Sequence, residues 1–261
     1  MINKELGATI LAIGFLLSIG IVMSQDAKPL NQEAISPEPK AFDGITFGPQ
    51  NASVETLWRL VSASDAVNAN LTKIETALMD ASIALSETGI DGPDAKKVLS
   101  RLVLADPSVI DCITIDPPGS VREVEPSSFE RIKGENLKVQ EHINETINTR
   151  LYSGFHLIKA IEGVYAIDSE MPVFDQNGKF IGTVSFLFNS SQFFENTLSP
   201  FQPGGNSKIW VSKADDATIL YDTDPSQILL NESSLVYQNY PELLEISERM
   251  SVERTGYGTY K

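Results

Sequence analysis

The sequence predicts an α+β fold, in which one long helix precedes an antiparallel sheet and a second, smaller α+β module follows. Three observations carry this prediction. Apolar residues recur at helical spacing from Val54 to Leu85, and no Pro or Gly interrupts the chain between Asn51 and Thr88. Further on, a turn sequence joins two apolar stretches, which is the pattern of a β-hairpin. The predicted order of the first domain is helix, helix, strand pair, helix and strands, which is typical of the α+β class rather than of a βαβ repeat.

The first 24 residues have the pattern of an export segment, and the residues after them have the pattern of a linker. Gly7 to Met23 is apolar apart from Thr9 and Ser18 and contains no charge, which is typical of a signal peptide or of a membrane anchor. Cleavage after Ser24 is one alternative, and retention as an anchor is the other. Residues 25–50 carry four prolines and few large apolar side chains, so we expect an extended linker.

The predicted long helix has Ser53 as its N-cap and ends before Gly89. At 1.5 Å per residue, a helix of about 35 residues is roughly 50 Å long, so it must run along an elongated body rather than inside a small globule. Its apolar stripe is wide. We therefore expect the helix to pack on the sheet and also to pair with a second copy in a homodimer.

Shorter elements follow, and a hairpin ends the series. In chain order the sequence predicts a helix at 94–104, strands at 109–115 and 121–124, a helix around 136–148, and strands at 150–158 and 163–167. Pro172 to Phe174 and Phe180 to Phe188 then flank the turn Asp175-Gln-Asn-Gly178. Asn and Gly tolerate positive φ, and the second arm is rich in β-branched and aromatic residues, so this pattern predicts a hairpin with one largely buried strand.

A boundary at Pro203-Gly204-Gly205 separates the second module from the first domain. The second module contains predicted strands at 209–213, 218–221 and 255–260 and an amphipathic helix at 241–250. The predicted organisation is a signal peptide or anchor (1–24), a linker (25–50), a first domain (51–199) and the second module (207–261).

The hairpin sequence Pro172-Val-Phe-Asp175, followed by Gly178-Lys-Phe-Ile-Gly182, resembles the central hairpin of Cache domains. These domains are PAS-like, PDC-type extracytoplasmic ligand sensors of bacteria and archaea. The resemblance implies that residues 51–199 are a membrane-distal Cache-like domain, with a PAS-like antiparallel sheet against the long helix. Ile219-Leu-Tyr-Asp-Thr-Asp-Pro225 resembles the start of a membrane-proximal Cache module, which residues 207–261 would form only in part.

The composition argues against several classes of function. A net charge of −15 argues against binding to nucleic acid and against docking on anionic lipid. The single cysteine, Cys112, cannot form an internal disulfide, and we expect a buried, inert thiol. His142 and His156 are the only histidines and have no partner at clear metal-ligand spacing, and no Gly-X-Ser-X-Gly or phosphate-loop motif is present. The sequence therefore predicts no metal, no cofactor and no enzymatic activity.

Candidate ligand-binding residues follow from the resemblance, because the ligand of a Cache sensor lies between the sheet of the distal module and the segments that cover it. The side chains able to hold a small polar ligand there are Arg131, Arg150, Tyr152, His156, Tyr165 and Asp168. A guanidinium group can form two parallel hydrogen bonds with a carboxylate, and an Asp carboxylate accepts hydrogen bonds from an ammonium group. We expect a small anionic ligand such as a carboxylate. The other histidine, His142, is expected at a solvated helix position.

Two details of these residues limit the prediction. Amino-acid-binding members of the family carry an Arg-X-Trp-Tyr stretch before these strands, whereas this chain has Arg150-Leu-Tyr152, so specificity for amino acids is not predicted. Tyr165 and Asp168 differ in strand parity, and a regular strand would direct them to opposite faces.

The sequence thus predicts an exported or membrane-anchored sensory domain that binds a small molecule outside the cytoplasm, at the cell surface. Its signalling would be chemoreceptor-like, and it would need a membrane signalling partner because the sequence contains no kinase, cyclase or methyl-accepting segment. Two alternatives stay open. One is a structural or adhesive surface protein that uses the fold without a ligand, and the other is a hydrolytic enzyme with an unrecognised site.

Overall fold

The computed structural model describes residues 6–13, 17–24, 54–161, 163–202, 208–231, 233–252 and 255–260. The chain divides into two compact units. The first unit, as it is called below, comprises residues 68–196, and the other unit comprises residues 1–67 together with 197–261.

Ten strands and six α-helices lie within the described residues. In chain order they are β1 (Leu6–Ile13), β2 (Leu17–Ser24), α1 (Val54–Thr88), α2 (Gly92–Leu102), β3 (Val109–Ile115), β4 (Val121–Glu125), α3 (Glu141–Thr149), β5 (Phe155–Lys159), β6 (Tyr165–Phe174), β7 (Phe180–Phe188), α4 (Ser190–Leu198), β8 (Lys208–Lys213), β9 (Ile219–Asp222), α5 (Leu235–Gln238), α6 (Pro241–Val252) and β10 (Thr255–Tyr260). This content confirms the predicted α+β class.

The long helix is present as predicted, with α1 running for 35 residues. Leu60, Val67, Ile74 and Ala81 recur every seven residues and are buried, as one face of a helix packed along its length requires. The predicted stop is also found, because Gly89 has a φ of 80° and its amide donates to the carbonyl of Leu85 at 2.9 Å. The predicted N-cap, Ser53, lies outside the described residues.

The sheet of the first unit has the strand order β4-β3-β7-β6-β5, and all of its pairings are antiparallel. The hairpin between β6 and β7 confirms the prediction from the turn sequence. Gly178 has a φ of 76°, and its amide donates to the carbonyl of Asp175 at 2.9 Å. The structure merges two predicted strands into β6, which runs through Pro172. The missing N–H of Pro172 is tolerated because β5 pairs only with residues 165–169 and ends before it.

The two faces of this sheet carry different layers. On one face, Tyr152 donates to Glu75 of α1 at 3.1 Å and accepts from Ser169 of β6 at 2.9 Å. On the other face, α3 and the short helical segment Ser127–Ile132 pack on the strands. One cluster of buried apolar residues fills that second interface: Ile113, Ile115, Val121, Val124, Ile132, Leu137, Ile143 and Ile147. Each such side chain contributes about 1.5–3 kcal/mol when fully buried.

The sheet of the other unit has the order β10-β1-β2-β8-β9. The strands and the helix predicted for residues 207–261 are present as β8, β9, β10 and α6. Within the segment predicted as a signal peptide or anchor, β1 pairs with β10 and β2 pairs with β8. This pairing keeps the segment in a sheet of the folded chain, so it is an alternative both to cleavage and to insertion as a membrane anchor. The leader, the linker and the incomplete second module stay predictions.

None of the helices in the described ranges combines the length and the apolar character that a bilayer crossing requires.

Candidate ligand-binding site

The two arginines of the predicted site lie on the surface of the first unit. Arg150 is the C-cap of α3, in the left-handed conformation with a φ of 59°, and its guanidinium lies 5.6 Å from the centre of the Phe180 ring. The strand expected from residue 150 therefore starts only at Phe155. Arg131 is exposed, and its guanidinium lies 5.9 Å from the centre of the Phe129 ring. The structure thus brings neither arginine to the pocket described below.

The two tyrosines of the predicted site also lie apart from the pocket. Tyr165 is half exposed at the start of β6, where the Nζ of Lys159 lies 6.0 Å from its ring centre. Tyr152 is partly buried on the α1 face, and burial, more than its hydrogen bonds, raises the pKa of its hydroxyl. As expected from their strand parity, Tyr165 and Asp168 differ in exposure: Tyr165 is half exposed, whereas Asp168 is buried. Of the six predicted residues, only Asp168 and His156 meet.

Asp168 is the centre of a buried polar cluster between the sheet and α3. Its side chain is 3% exposed, and its Oδ2 lies 2.7 Å from the Nε2 of His142 on α3. Its Oδ1 accepts a hydrogen bond from the hydroxyl of Ser185 on β7. The His142 ring stacks on the His156 ring, with centroids 5.4 Å apart. His156 in turn donates from Nε2 to the carbonyl of Ser153 at 2.7 Å. Both imidazoles and the carboxylate are therefore fixed in orientation.

The sheet register extends this cluster across four strands. Asp111 of β3 and Asp168 of β6 both pair with Leu187 of β7, one from each side, and His156 of β5 pairs with Asp168. Directly opposed residues in antiparallel strands share a face. Asp111, Leu187, Asp168 and His156 thus form one row across the sheet, called the four-strand row below.

Glu170 lies two residues beyond Asp168 on the same face of β6 and is fully buried. Its Oε1 accepts from the hydroxyl of Thr183, whereas its Oε2 and the hydroxyl of Thr146 have no hydrogen-bond partner of normal geometry among the described residues. Burial, and secondly the charge of Asp168, raises the pKa of Glu170 to about 8, although the hydroxyl of Thr183 and then that of Thr146 lower it. Glu170 therefore holds a proton at neutral pH.

A half-open pocket lies over the four-strand row. It encloses about 300 Å³ of empty space, including the part open to solvent. Its polar lining consists of Asp111, Gln140, Asp168 and Ser185, and its walls are aliphatic, mainly Ile113, Ile132, Leu137, Ile143, Ile158 and Leu187. Apolar walls with a few fixed polar groups are what a site for a small organic molecule requires.

Ser185, Asp168 and His142 are the residue types of a hydrolytic triad, but they are not arranged as one. The carboxylate lies between the other two, because Ser185 and His142 each bond to a different oxygen of Asp168. Nucleophilic catalysis needs an imidazole that takes the proton of the serine hydroxyl. Here that hydroxyl donates to the carboxylate, so these three residues do not form a hydrolytic triad.

Sequence reasoning missed three ionisable members of this cluster, as well as Ser185. The expectation of a solvated His142 is wrong, since the residue is 5% exposed. The available signal was its place beside Ile143, Thr146 and Ile147, which form one helical face with it. Asp111 and Glu170 were also missed. Their signal was a carboxylate inside a strand of mostly apolar or small side chains. A buried carboxyl group is costly unless it has a hydrogen-bonding or charged partner, so such a position indicates a polar cluster.

Comparison with known proteins shows that the first unit is similar to sensor domains. A family model described as HK/GC/chemotaxis protein-like sensor domain matches residues 69–190. The structure is similar to that of an extracellular ligand-binding receptor from Desulfohalobium retbaense, with 28% identity and a TM-score of 0.66, over 77% of this chain and 35% of the receptor. This chain thus spans about a third of that receptor's length. No curated protein matches by sequence.

Two more distant structures share the fold. One is the ligand-binding domain of the Pseudomonas fluorescens chemoreceptor CtaA in complex with L-valine, with 14% identity and a TM-score of 0.51, over 71% of this chain and 82% of that one. The other is the sensor domain of the V. cholerae histidine kinase DctB, with 16% identity and a TM-score of 0.50, over 76% of this chain and 74% of that one. The matched residues, 69–190, carry the sheet and the pocket, and the comparisons support a Cache-type sensor domain over this part of the chain.

Proposed function

We propose that this chain is an exported or membrane-anchored sensory protein that binds a small molecule in the pocket at Asp168. One observation carries the proposal. In a domain of a sensor family, a half-open pocket contains a carboxylate that is buried yet fixed by His142 and Ser185. A polar group held in one orientation among aliphatic walls gives a ligand both affinity and a defined pose. The sensor domains similar to this one support binding rather than catalysis as its activity.

The output of the domain is proposed to reach a membrane signalling partner. The similar structures include a chemoreceptor domain and a histidine-kinase sensor domain, in which the sensor is one part of a larger receptor. This chain would act in the same way outside the cytoplasm, either through its own N-terminal anchor or through a separate receptor.

Replacing Asp168 with Asn is expected to abolish ligand binding. The exchange keeps the size of the side chain but removes the charge at the pocket. Thermal melting of the full chain against a library of small metabolites provides the measurement. A ligand present at 100 times its dissociation constant stabilises the wild type by about 2.7 kcal/mol, which is several degrees for a chain of this size. The Asp168→Asn variant should show no such shift.

Two further variants make that result specific. Asp80→Asn makes the same exchange at an exposed position of α1 and should leave the shift unchanged. Arg150→Ala tests the arginine that the sequence alone assigns to the site. An equal shift in wild type and Asp168→Asn would reject the pocket as the site. A complete screen without any shift would favour structural use of the fold.

The homodimer expected from the long helix is also proposed, through the outer face of α1. Met79 and Ile83 lie one turn apart there and are 49% and 59% exposed. We expect sedimentation equilibrium of the full chain to show a dimer at micromolar concentration, and a double variant, Met79→Glu with Ile83→Glu, to be monomeric. Leu104→Glu places the same charge on an exposed aliphatic residue outside α1 and should leave the dimer intact. A strict monomer in the wild type would contradict the proposal.

A further inference from the structure

We propose that Asn231 is an N-glycosylation site, at which a glycan is joined to the side-chain amide of the exported chain. The sequence Asn-X-Ser/Thr, in which X is not Pro, is the acceptor sequence for this modification. It occurs five times, at Asn51, Asn70, Asn144, Asn189 and Asn231. The fourteen asparagines of the chain would give about two such sequences by chance, with Ser and Thr together at roughly one residue in eight.

The other acceptor sequences that the structure describes lie at helices. A transferase must reach the asparagine amide and the hydroxyl two positions later together, and residues at this spacing on a helix do not face the same side. Asn70 lies in α1 and Asn144 in α3, each with its second residue in the same helix. In α3 that residue, Thr146, is buried. The side chain of Asn189 accepts from the amide of Gln192 at 2.9 Å instead, which holds it at the start of α4.

At Asn231 the asparagine and the hydroxyl lie on the same side of a turn between β9 and α5. The hydroxyl of Ser233 donates to the Oδ1 of Asn231 at 2.6 Å, and the amide of Ser233 donates to the same oxygen at 3.1 Å. The Nδ2 of Asn231, which would carry the glycan, makes no hydrogen bond to any described residue. Ser233 is exposed. An enzyme can therefore reach the amide nitrogen and the hydroxyl together at this turn.

The surroundings of the turn give such a glycan a physical role. Leu229 and Leu235 are large apolar side chains that are both exposed, and Asn231 lies between them in the chain. Exposed apolar groups close together favour association with other molecules unless something covers them. A bulky, hydrated glycan on Asn231 would cover both leucines and keep this part of the surface soluble.

The transfer needs a glycan activated as a phosphate or pyrophosphate ester. The Nδ2 of Asn231 attacks the anomeric carbon of the first sugar, so that an N–C bond forms while the bond from that carbon to the ester oxygen breaks. The leaving phosphate takes the bonding electron pair, and Nδ2 gives up one proton to a base of the transferase. The modification rests on the export that is part of the proposed function, but it does not involve the pocket at Asp168.

Mass spectrometry of proteolytic peptides tests this site, with the full chain produced in its source organism and recovered from outside the cytoplasm. The wild-type peptide that contains Asn231 should carry an added mass that fragments into sugar ions, whereas the peptides that contain Asn70 and Asn144 should be unmodified. Ser233→Ala should abolish the added mass because it removes the hydroxyl and leaves Asn231 in place. Ser233→Thr restores a hydroxyl and should keep it.

Each contrary outcome has a distinct meaning. An exported chain that is unmodified at Asn231 would overturn the glycosylation site and leave the proposed function standing. Added mass retained in Ser233→Ala would overturn it as well. Equal modification of Asn70, Asn144 and Asn231 would overturn the selection by geometry, since it would show that transfer precedes folding. A chain found only in the cytoplasm would remove both the modification and the proposed export, whereas the ligand screen with Asp168→Asn would still test the pocket.

Discussion

Replacing Gly182 with Ala is expected to be strongly destabilising. Gly182 lies in β7 opposite Val173, with a φ of 146° that is essentially restricted to glycine. A Cβ at this position would overlap with the carbonyl oxygen of Ile115 and lie 2.7 Å from the Cδ1 of Ile90. The backbone of β3 cannot move away without breaking the centre of the sheet. Strain and overlap together cost on the order of 4 kcal/mol, so we expect the melting temperature to fall by about 10 °C or more.

Gly178→Ala is the matched control for this prediction. Gly178 also has a positive φ, of 76°, but a Cβ there would have no atom within 4 Å. Only the conformational strain of the turn remains, at about 1 kcal/mol, and the melting temperature should fall by a few degrees. Thermal unfolding followed by far-ultraviolet circular dichroism measures both variants. Equal losses in the two would show that the approach of β3 to Gly182 does not matter.

Replacing Glu170 with Gln is expected to remove a large part of the pH dependence of stability. Burial, and then the charge of Asp168, raises the pKa of Glu170 from 4.5 to about 8. Since the folded state holds the proton more tightly than the unfolded state, the contribution to stability is fully present below about pH 4.5 and is lost as the pH rises through about 8. A shift of this size corresponds to a contribution on the order of 5 kcal/mol. Gln stays neutral throughout, so its contribution does not change with pH.

Urea unfolding at pH 5 and pH 9 checks this prediction. Wild type and Glu170→Gln should have similar unfolding free energies at pH 5, and the variant should be more stable by several kcal/mol at pH 9. Glu145→Gln changes an exposed glutamate of α3 and should follow the wild type at both values. Equal pH slopes in wild type and Glu170→Gln would mean that the buried carboxyl is already ionised at neutral pH.

The parts of the fold that the sequence predicts are those with local causes. The turn Asp175-Gln-Asn-Gly178 and the uninterrupted helical periodicity before Gly89 act over a few residues, and both predictions are confirmed. The strand predicted from Arg150 began too early because nothing in the local pattern marks a left-handed cap at a non-glycine residue. Strand boundaries of this kind depend on where the partner strand ends, and that is determined by the tertiary structure rather than by the local sequence.

The candidate site was less predictable for the same reason. Asp111 and Leu187 are direct neighbours in the sheet although 76 positions separate them in the chain, and only the register of β3 against β7 brings them together. His142 is buried because α3 turns that face to the sheet, and a short polar helix does not reveal which side will be covered. Asp168 and His156 were predicted because the hairpin resemblance located their strands.

The four-strand row also bears on how such a domain diverges over time. Each of its members comes from a different strand, so one point mutation changes one side chain of the row and leaves the register of the other three unchanged. Gly182, in contrast, tolerates little change because the backbone of β3 crowds it. Substitutions in the row can therefore change the lining of the pocket while the scaffold stays the same, and the architecture is still recognisable at 14% identity.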